Sequence, residues 1–323
     1  MHPPPHSPQA SQAPEAPLHA ATPLIESLSL GAGRSPRIHL KMEALQVPGS
    51  FKIRGVGHAC QTYARRGAQR FITSSGGNAG LAVAYAGQQL GLPVLVVVPE
   101  TTSERAKSLL ALFGADVRVH GKTWQEANEL AMQVLTPDAA FVHPFDDPLL
   151  WEGHASMIDE VVAAGLRPDA VVVAVGGGGL LSGVVAGLVR QGLGHIPVIA
   201  AETSGAASLH AAMAAGAPVT LPSIDSIATS LGAKRVAEHA WALTQTHDIR
   251  SARVSDAQAV TGCLRFLDDH RVLVEPACGA ALAVVYDQPE QLTGFEHVLV
   301  IVCGGATATL AQLQQWGQAG RGA

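Results

Sequence analysis

The stretch Ala170-Val171-Val172-Val173-Ala174-Val175-Gly176-Gly177-Gly178-Gly179-Leu180 decides the fold. Its first six residues are apolar without alternation, which is typical of a strand that helices cover on both faces. Four glycines follow, and an apolar helical pattern begins directly after them. A glycine-rich turn between a buried strand and a helix is a place where open α/β sheets bind ligands. The stretch therefore predicts a βα unit of a parallel sheet with a binding loop at residues 176–180.

The same alternation of short apolar runs with helical periodicity recurs along the chain. Two helices have recognisable starts, 103–113 with Ser103 as N-cap and 255–270 with Ser255 as N-cap. This alternation of strand and helix patterns predicts a doubly wound α/β fold. The pattern is interrupted at Pro144–Trp151, which is a candidate domain boundary. The predicted strands are Ile38–Met42, Arg70–Thr73, Pro93–Val98, Asp116–Val119, Ala170–Val175, Pro197–Ala201 and His297–Val302.

The composition is that of a globular, enzyme-sized protein. The chain has 323 residues, of which 47% are hydrophobic and 15% charged, and its net charge is -5. This content excludes a disordered chain, no basic run is present to bind nucleic acid, and the apolar runs are too short to span a membrane. Four cysteines without a C-x-x-C pair predict reduced thiols and a cytoplasmic location. Residues 1–22 are expected to form a disordered tail.

Two further loops are candidates for binding. Ser74–Gly80 follows the predicted strand Arg70–Thr73 and opens a helix, so its free N–H groups can hold an anion. In Pro48–Gly55, Lys52 lies in the first turn of a predicted helix, where its charge opposes the helix dipole. A lysine held beside positive helix ends has a lowered pKa, which a Schiff-base lysine needs. The three loops together suggest a pyridoxal 5'-phosphate site.

The tetraglycine loop does not match the common nucleotide motifs. A G-x-G-x-x-G fingerprint that starts at Gly176 would need glycine at Leu181, and a P-loop lysine is missing after Gly183. A nucleotide- or anion-binding module without pyridoxal phosphate nevertheless stays open as an alternative. Colour distinguishes the two, because a pyridoxal phosphate protein is yellow when purified.

Six segments, in order from about Pro23 to Leu313, resemble the fold type II serine/threonine dehydratases and most of all the catabolic L-serine dehydratases. The resemblance implies a tryptophan synthase β-like fold and a lyase that converts L-serine to pyruvate and ammonia, and L-threonine to 2-oxobutanoate. It also implies a small domain at 46–149, a large domain at 23–45 plus 150–323, and a homodimer. The segments are Ser50–Gly55, Ser74–Gly80, Pro144–His154, Gly176–Leu180, Val274–Ala281 and Val302–Gly305.

The resemblance also implies roles for individual residues. Lys52 would form the Schiff base with the cofactor, and Phe51 would pack on one face of the pyridine ring. Asn78 would donate a hydrogen bond to the 3'-oxygen of the ring, and Cys303 would face the pyridine nitrogen. The substrate carboxylate would be held by Ser75, Gly76, Gly77, Asn78 and Ala79, and the cofactor phosphate by Gly176, Gly177, Gly178, Gly179 and Leu180.

A monovalent cation, potassium or sodium, is implied more weakly, at Glu202, Ala206, Leu231 and Ala233. Without the resemblance, Glu202 is interpreted as an acid at a helix start. Related activities stay open, namely threonine deaminase, serine racemase and β-replacing enzymes. Cysteine synthases usually have threonine at the position of Ala79, and racemases and biosynthetic deaminases usually have serine at that of Cys303.

Overall fold

The structure is a computed structural model that describes residues 16–31 and 36–319. Its secondary structure alternates strands and helices from Leu24 onward. The strands are β1 (Leu24–Ser27), β2 (Arg37–Lys41), β3 (Arg70–Thr73), β4 (Val94–Val98), β5 (Asp116–Val119), β6 (Ala139–Phe141), β7 (Ala170–Ala174), β8 (Val198–Thr203), β9 (Ile249–Val254) and β10 (His297–Ile301).

Helices connect most of these strands. They are α1 (Leu28–Gly31), α2 (Lys52–Arg65), α3 (Asn78–Leu90), α4 (Glu104–Leu112), α5 (Trp124–Gln133), α6 (Pro148–Ala163), α7 (Gly179–Arg190), α8 (Ser208–Ala215), α9 (Glu238–Leu243), α10 (Asp256–His270), α11 (Pro276–Asp287) and α12 (Leu310–Ala319). Among the described residues, no helix has the length and apolar content that a membrane crossing requires.

The strands form two sheets. The six-stranded sheet has the order β1-β2-β10-β7-β8-β9, and the four-stranded sheet has the order β5-β4-β3-β6. All pairs are parallel except β1 with β2, which is antiparallel. Strands β4, β7 and β8 are buried along their whole length, because helices pack on both faces. The predicted doubly wound α/β fold is confirmed.

Predicted and observed elements agree in their bounds at two strands and at two helix starts. Strands β3 and β5 have the predicted bounds, and Ser103 and Ser255 cap α4 and α10 by accepting backbone N–H groups. Strands β1, β6 and β9 were not predicted. Of these, β9 is an edge strand with the sequence Ile-Arg-Ser-Ala-Arg-Val, whose polar residues interrupt the apolar run on which the other predictions rest.

The predicted disordered tail is wrong in part. Residues 1–15 lie outside the described residues, but residues 16–22 hydrogen-bond to the body of the protein. Gln61 Nε2 donates to the carbonyl of Ala16 over 2.9 Å, and the N–H of Ala20 donates to Gln46 Oε1 over 2.9 Å. The Leu18 side chain packs on the apolar cluster that includes Ile53. These contacts order the segment although it has no regular apolar pattern.

Candidate active site

Lys52 is the first residue of α2, at the positive end of the helix dipole. Its Nζ donates to the carbonyl of Pro144 over 2.7 Å and lies 5.2 Å from the centre of the Phe51 ring. Burial lowers the pKa of Lys52 to about 8, against the opposing influence of Cys303 and Glu275. A substantial fraction of this amine is therefore neutral near physiological pH, as a nucleophile or a base requires.

The tetraglycine loop lies between β7 and α7 and has no room for side chains. A Cβ on Gly177 would be 2.3 Å from the Phe145 ring, and one on Gly179 would be 2.7 Å from the Phe145 carbonyl oxygen. Gly178 has a φ of +96°, which disfavours other residues. The loop therefore presents backbone alone, beside the free N–H groups of the first turn of α7, and this arrangement suits a phosphate.

The loop before α3 lies between β3 and Asn78, the first residue of that helix. Ser75 Oγ accepts from the N–H of Gly77 over 3.4 Å. A Cβ on Gly80 would be 1.8 Å from the Ser75 carbonyl oxygen, so the helix closes tightly on the loop. This packing leaves Ser75 and the N–H groups that follow it at a helix N-terminus, where a carboxylate binds well.

Asn78 is buried and bonded to a residue with no predicted role. Its Nδ2 donates to Glu275 Oε1 over 2.7 Å, and its Oδ1 accepts from the N–H of Ala306 over 3.1 Å. Thr307 Oγ1 donates to the other oxygen, Glu275 Oε2, over 2.9 Å. Burial raises the pKa of Glu275, although hydrogen bonds from Ser230, Thr307 and Asn78 oppose the shift. These bonds fix which end of the Asn78 amide is the donor.

Cys303 is buried, with 6% of its surface exposed, and its carbonyl accepts from the N–H of Phe51 over 3.1 Å. A hydrogen bond with the Cys278 thiol, together with burial, raises the pKa of Cys303 well above its ordinary value. The side chain is therefore a neutral thiol next to the Lys52 helix.

Contacts join these loops at one place in the fold. Phe145, which packs against the tetraglycine loop, follows Pro144, the acceptor for Lys52. On the other side, Gly176 lies against Leu231, and Ser230 Oγ is 3.4 Å from Asn78 Nδ2. The predicted cofactor and substrate residues thus surround one region at the carboxyl ends of β3 and β7.

Glu202, at the end of β8, has a structural partner. Its two carboxylate oxygens accept the N–H groups of Leu209 and His210, each over 2.8 Å, at the start of α8. Burial raises its pKa to about 7, although those two N–H groups oppose the shift. This geometry matches the interpretation of Glu202 as a helix-start acid. Ala206 and Leu231 are buried, and Ala233 donates its N–H to the carbonyl of Leu231.

Pyridoxal 5'-phosphate fits the residues present. The glycine loop that a Cβ would fill provides only backbone donors for a phosphate, and Lys52 provides a primary amine with a lowered pKa. The neutral thiol of Cys303 is a weak partner for an unprotonated pyridine nitrogen. No cluster of three or more His, Cys, Asp or Glu side chains within 16–31 and 36–319 is arranged to hold a metal ion.

A parallel α/β fold with a lysine at a helix start and a glycine phosphate loop defines a class of cofactor-dependent enzymes. Residues 16–304 match the family model described as "Pyridoxal-phosphate dependent enzyme". The chain belongs to this family.

Known proteins are similar over nearly the whole chain. The chain is 48% identical to "Serine dehydratase-like" of Mus musculus, over 93% of this chain and 94% of that protein. It is also 48% identical to "L-serine dehydratase/L-threonine deaminase" of Homo sapiens, over 92% of this chain and 94% of the human protein. Among solved structures, the fungal L-serine ammonia-lyase from Rhizomucor miehei matches with a TM-score of 0.88 at 34% identity, covering 94% of this chain and 99% of that one.

Glu275, Phe145 and Thr307 had no predicted role. A signal for Glu275 is present in Val274-Glu275-Pro276-Ala277, where a single acid stands in an otherwise apolar segment before a helix. An isolated acid in such a segment must find a partner when it is buried. The partners themselves come from distant parts of the chain, so no spacing rule identifies them.

Proposed function

We propose that this enzyme is a pyridoxal phosphate-dependent L-serine dehydratase that converts L-serine to pyruvate and ammonia, and L-threonine to 2-oxobutanoate. The observation that carries the proposal is the position of Lys52, an amine of lowered pKa between a phosphate loop and a carboxylate loop. Relatives named as serine dehydratases at 48% identity support the choice of reaction.

Each loop has a distinct task in the proposed reaction. Gly176–Leu180 hold the cofactor phosphate, while Ser75 and the backbone of Gly76–Ala79 hold the substrate carboxylate. Phe51 packs on one face of the pyridine ring, and Asn78 donates to its 3'-oxygen. When bound, pyridoxal phosphate supplies the electron sink that stabilises negative charge at the α-carbon.

Lys52 moves the proton in this reaction. With a pKa of about 8, its free amine takes the α-proton of the bound amino acid as a general base. Cys303, as a neutral thiol, leaves the pyridine nitrogen unprotonated. The β-hydroxyl then leaves as water, and hydrolysis of the released enamine gives the 2-oxo acid and ammonia.

The test is steady-state formation of 2-oxo acid from L-serine, L-threonine and D-serine by the purified holoenzyme. We expect pyruvate from L-serine and 2-oxobutanoate from L-threonine. Lys52→Ala should abolish both, because Lys52 is the amine assigned to attachment and proton transfer. Lys122→Ala, which changes an exposed lysine outside the predicted site residues, is the matched control and should keep full activity. Racemisation of L-serine without net elimination would contradict the proposal and favour a racemase.

A monovalent cation is part of the proposal. The ligands are carbonyl oxygens of the loops around Glu202, Ala206, Leu231 and Ala233, and potassium or sodium is the ion. Equal turnover in potassium and in a bulky organic cation at matched ionic strength would contradict it.

The domain division, assembly and location are proposed together. We place a small domain at 46–149 around the four-stranded sheet, and a large domain at 23–45 plus 150–323 around the six-stranded sheet. We also propose a homodimer, which sedimentation equilibrium tests, and a cytoplasmic location. The four cysteines are free and buried, in keeping with a reducing compartment.

A further inference from the structure

Arg54 is buried completely, in the first turn of α2, two residues after Lys52. Its Nε and Nη2 donate to the two oxygens of Glu43 over 2.7 and 2.8 Å. Its Nη1 and Nη2 donate to the two oxygens of Glu160, each over 2.7 Å. One guanidinium therefore binds both oxygens of two carboxylates, a geometry that its planar fork allows and a lysine does not.

The two carboxylates belong to the two segments that border Lys52. Glu43 lies in the short 3₁₀ turn Glu43–Leu45, which follows β2 in the chain leading to Lys52. Glu160 lies in α6, the helix that begins just after Pro144, whose carbonyl accepts from Lys52 Nζ. Arg54 thus ties α2 both to the chain before it and to the helix opposite it.

The N-terminal segment completes this buried cluster. Thr22 Oγ1 donates to Glu43 Oε1 over 2.6 Å, and Lys41 Nζ donates to the Thr22 carbonyl over 2.6 Å and to Glu160. Two cations then face two carboxylates. His19 adds no charge near neutral pH, because burial and the nearby Arg54 charge lower its pKa to about 4. The cluster is balanced, as buried charges must be if they are not to destabilise the fold.

The first turn of α2 receives one further side-chain hydrogen bond, from the N–H of Gly55 to His154 Nδ1 over 3.1 Å. Its N-cap is Phe51, which has a helical φ and ψ and no capping side chain, and a lysine follows at the unfavourable end of the dipole. The position of Lys52 must therefore be set by contacts further along the helix. Arg54 is the charged residue of the first turn that makes such contacts on two sides.

We propose that Arg54 is a positioning residue for Lys52. It acts through Glu43 and Glu160, fixing the rotation and depth of α2 so that Lys52 Nζ keeps one place beside the phosphate loop. The alternative is that the cluster only stabilises the fold. This proposal rests on the proposed function for its kinetic readout, but the attachment of the cofactor to Lys52 can be measured without any substrate.

The test variant is Arg54→Lys, which keeps the charge and removes the fork. We expect kcat for L-serine to fall about 100-fold, the loss typical of a misplacement of about 1 Å, with little change in KM. We also expect the pKa of Lys52 in the cofactor-free protein to rise from about 8 towards its ordinary value, because a looser helix lets water reach the amine. The pH dependence of the rate of pyridoxal phosphate attachment measures this pKa.

Arg190→Lys is the matched control. Arg190 binds both oxygens of Asp159, which also lies in α6, but at an exposed surface and outside the Arg54 cluster. It should keep the wild-type kcat and attachment pKa.

Thr22→Val is the second test variant, since it removes the hydroxyl that binds Glu43 and keeps the side chain at nearly the same size. We expect it to change kcat and the pKa in the same direction by a smaller factor.

The outcomes separate positioning from stability. If Arg54→Lys and Thr22→Val lower only the melting temperature, with wild-type kcat and attachment pKa, the positioning role is wrong. If Arg54→Lys does not fold, Thr22→Val decides alone on the same two readouts. If the wild-type enzyme forms no pyruvate from L-serine, the proposed function fails, while the attachment pKa still tests Arg54.

Discussion

Cys303 lies next to the Lys52 helix as a buried, neutral thiol. Its neutrality can be tested by replacing the thiol with a carboxylate or with a hydroxyl. Cys303→Asp should reduce elimination sharply while pyridoxal phosphate stays bound. An aspartate would stabilise a protonated pyridine ring, a stronger electron sink that holds the carbanion long enough for side reactions. Cys303→Ser should be much milder, because a hydroxyl is also neutral. Pyruvate formation and the visible spectrum during turnover are the measurements, and undiminished elimination by the aspartate variant contradicts the role.

Glu275 is the buried acid that accepts a hydrogen bond from Asn78. Its replacement should change cofactor binding more than it changes the stability of the fold. In Glu275→Gln the new amide cannot accept from both Asn78 and Thr307 in the same way, so Asn78 loses its fixed orientation. We expect weaker pyridoxal phosphate binding and a shifted absorption maximum of the bound cofactor. Thr307→Val, which removes one donor to the same carboxylate, should show a smaller shift. An unchanged spectrum in both variants would contradict the role of Glu275 in orienting Asn78.

Some residues of the candidate site could be predicted from the sequence, and others could not. Lys52, the glycines and Cys303 were predicted because their types are unusual beside strand ends or match a known family. The roles of Glu275 and Arg54 were not, because each depends on partners about 10 to 200 residues away in the chain, such as Glu43 for Arg54 and Asn78 for Glu275. A single sequence contains no record of which distant residues meet.

At the scale of elements, the turn between β7 and α7 has no room for side chains. Gly179→Ala would place a Cβ 2.7 Å from the Phe145 carbonyl, and a backbone atom can yield only if the loop shifts. Such overpacking costs on the order of 1 to 3 kcal/mol, so pyridoxal phosphate affinity should fall about tenfold or more. Gly194→Ala, just beyond the same helix, would meet the Val189 side chain at 3.3 Å and is the control. Equal cofactor affinities in the two variants would contradict the phosphate assignment.

Element boundaries were predictable where one physical signal dominates. The strand Arg70–Thr73 and the helix caps Ser103 and Ser255 follow from apolar runs and capping chemistry. The edge strands β1 (Leu-Ile-Glu-Ser) and β9 (Ile-Arg-Ser-Ala-Arg-Val) were missed because polar residues interrupt their apolar runs. Asp147 is the N-cap of α6, since its Oδ1 accepts from the N–H of Leu149 over 2.8 Å.

For the molecule as a whole, the segment 16–22 is expected to contribute to stability. A chain that starts at Pro23 loses the bonds of Thr22 to Glu43 and Lys41 and leaves those buried charges with fewer partners. Each hydrogen bond lost costs about 0.5 to 1.5 kcal/mol, and about 2 to 4 °C of melting temperature is lost per kcal/mol in a domain of 150–250 residues. The reference is a chain that starts at Ala16. Equal melting temperatures would show that the segment is not bound in solution.

The strand order has a consequence for how the chain is made. Strand β10, the last strand, lies between β2 and β7 in the middle of the six-stranded sheet. A ribosome must therefore release residue 301 before β2 and β7 can pair with the strand that lies between them, whereas the strands of the four-stranded sheet are complete at Phe141. Until then β2 can pair with β1 and β7 with β8, but the edges of β2 and β7 that β10 covers stay unpaired. A truncated product that ends before His297 should keep the four-stranded sheet, expose the apolar β2 and β7 edges, and become a substrate for chaperones and proteases.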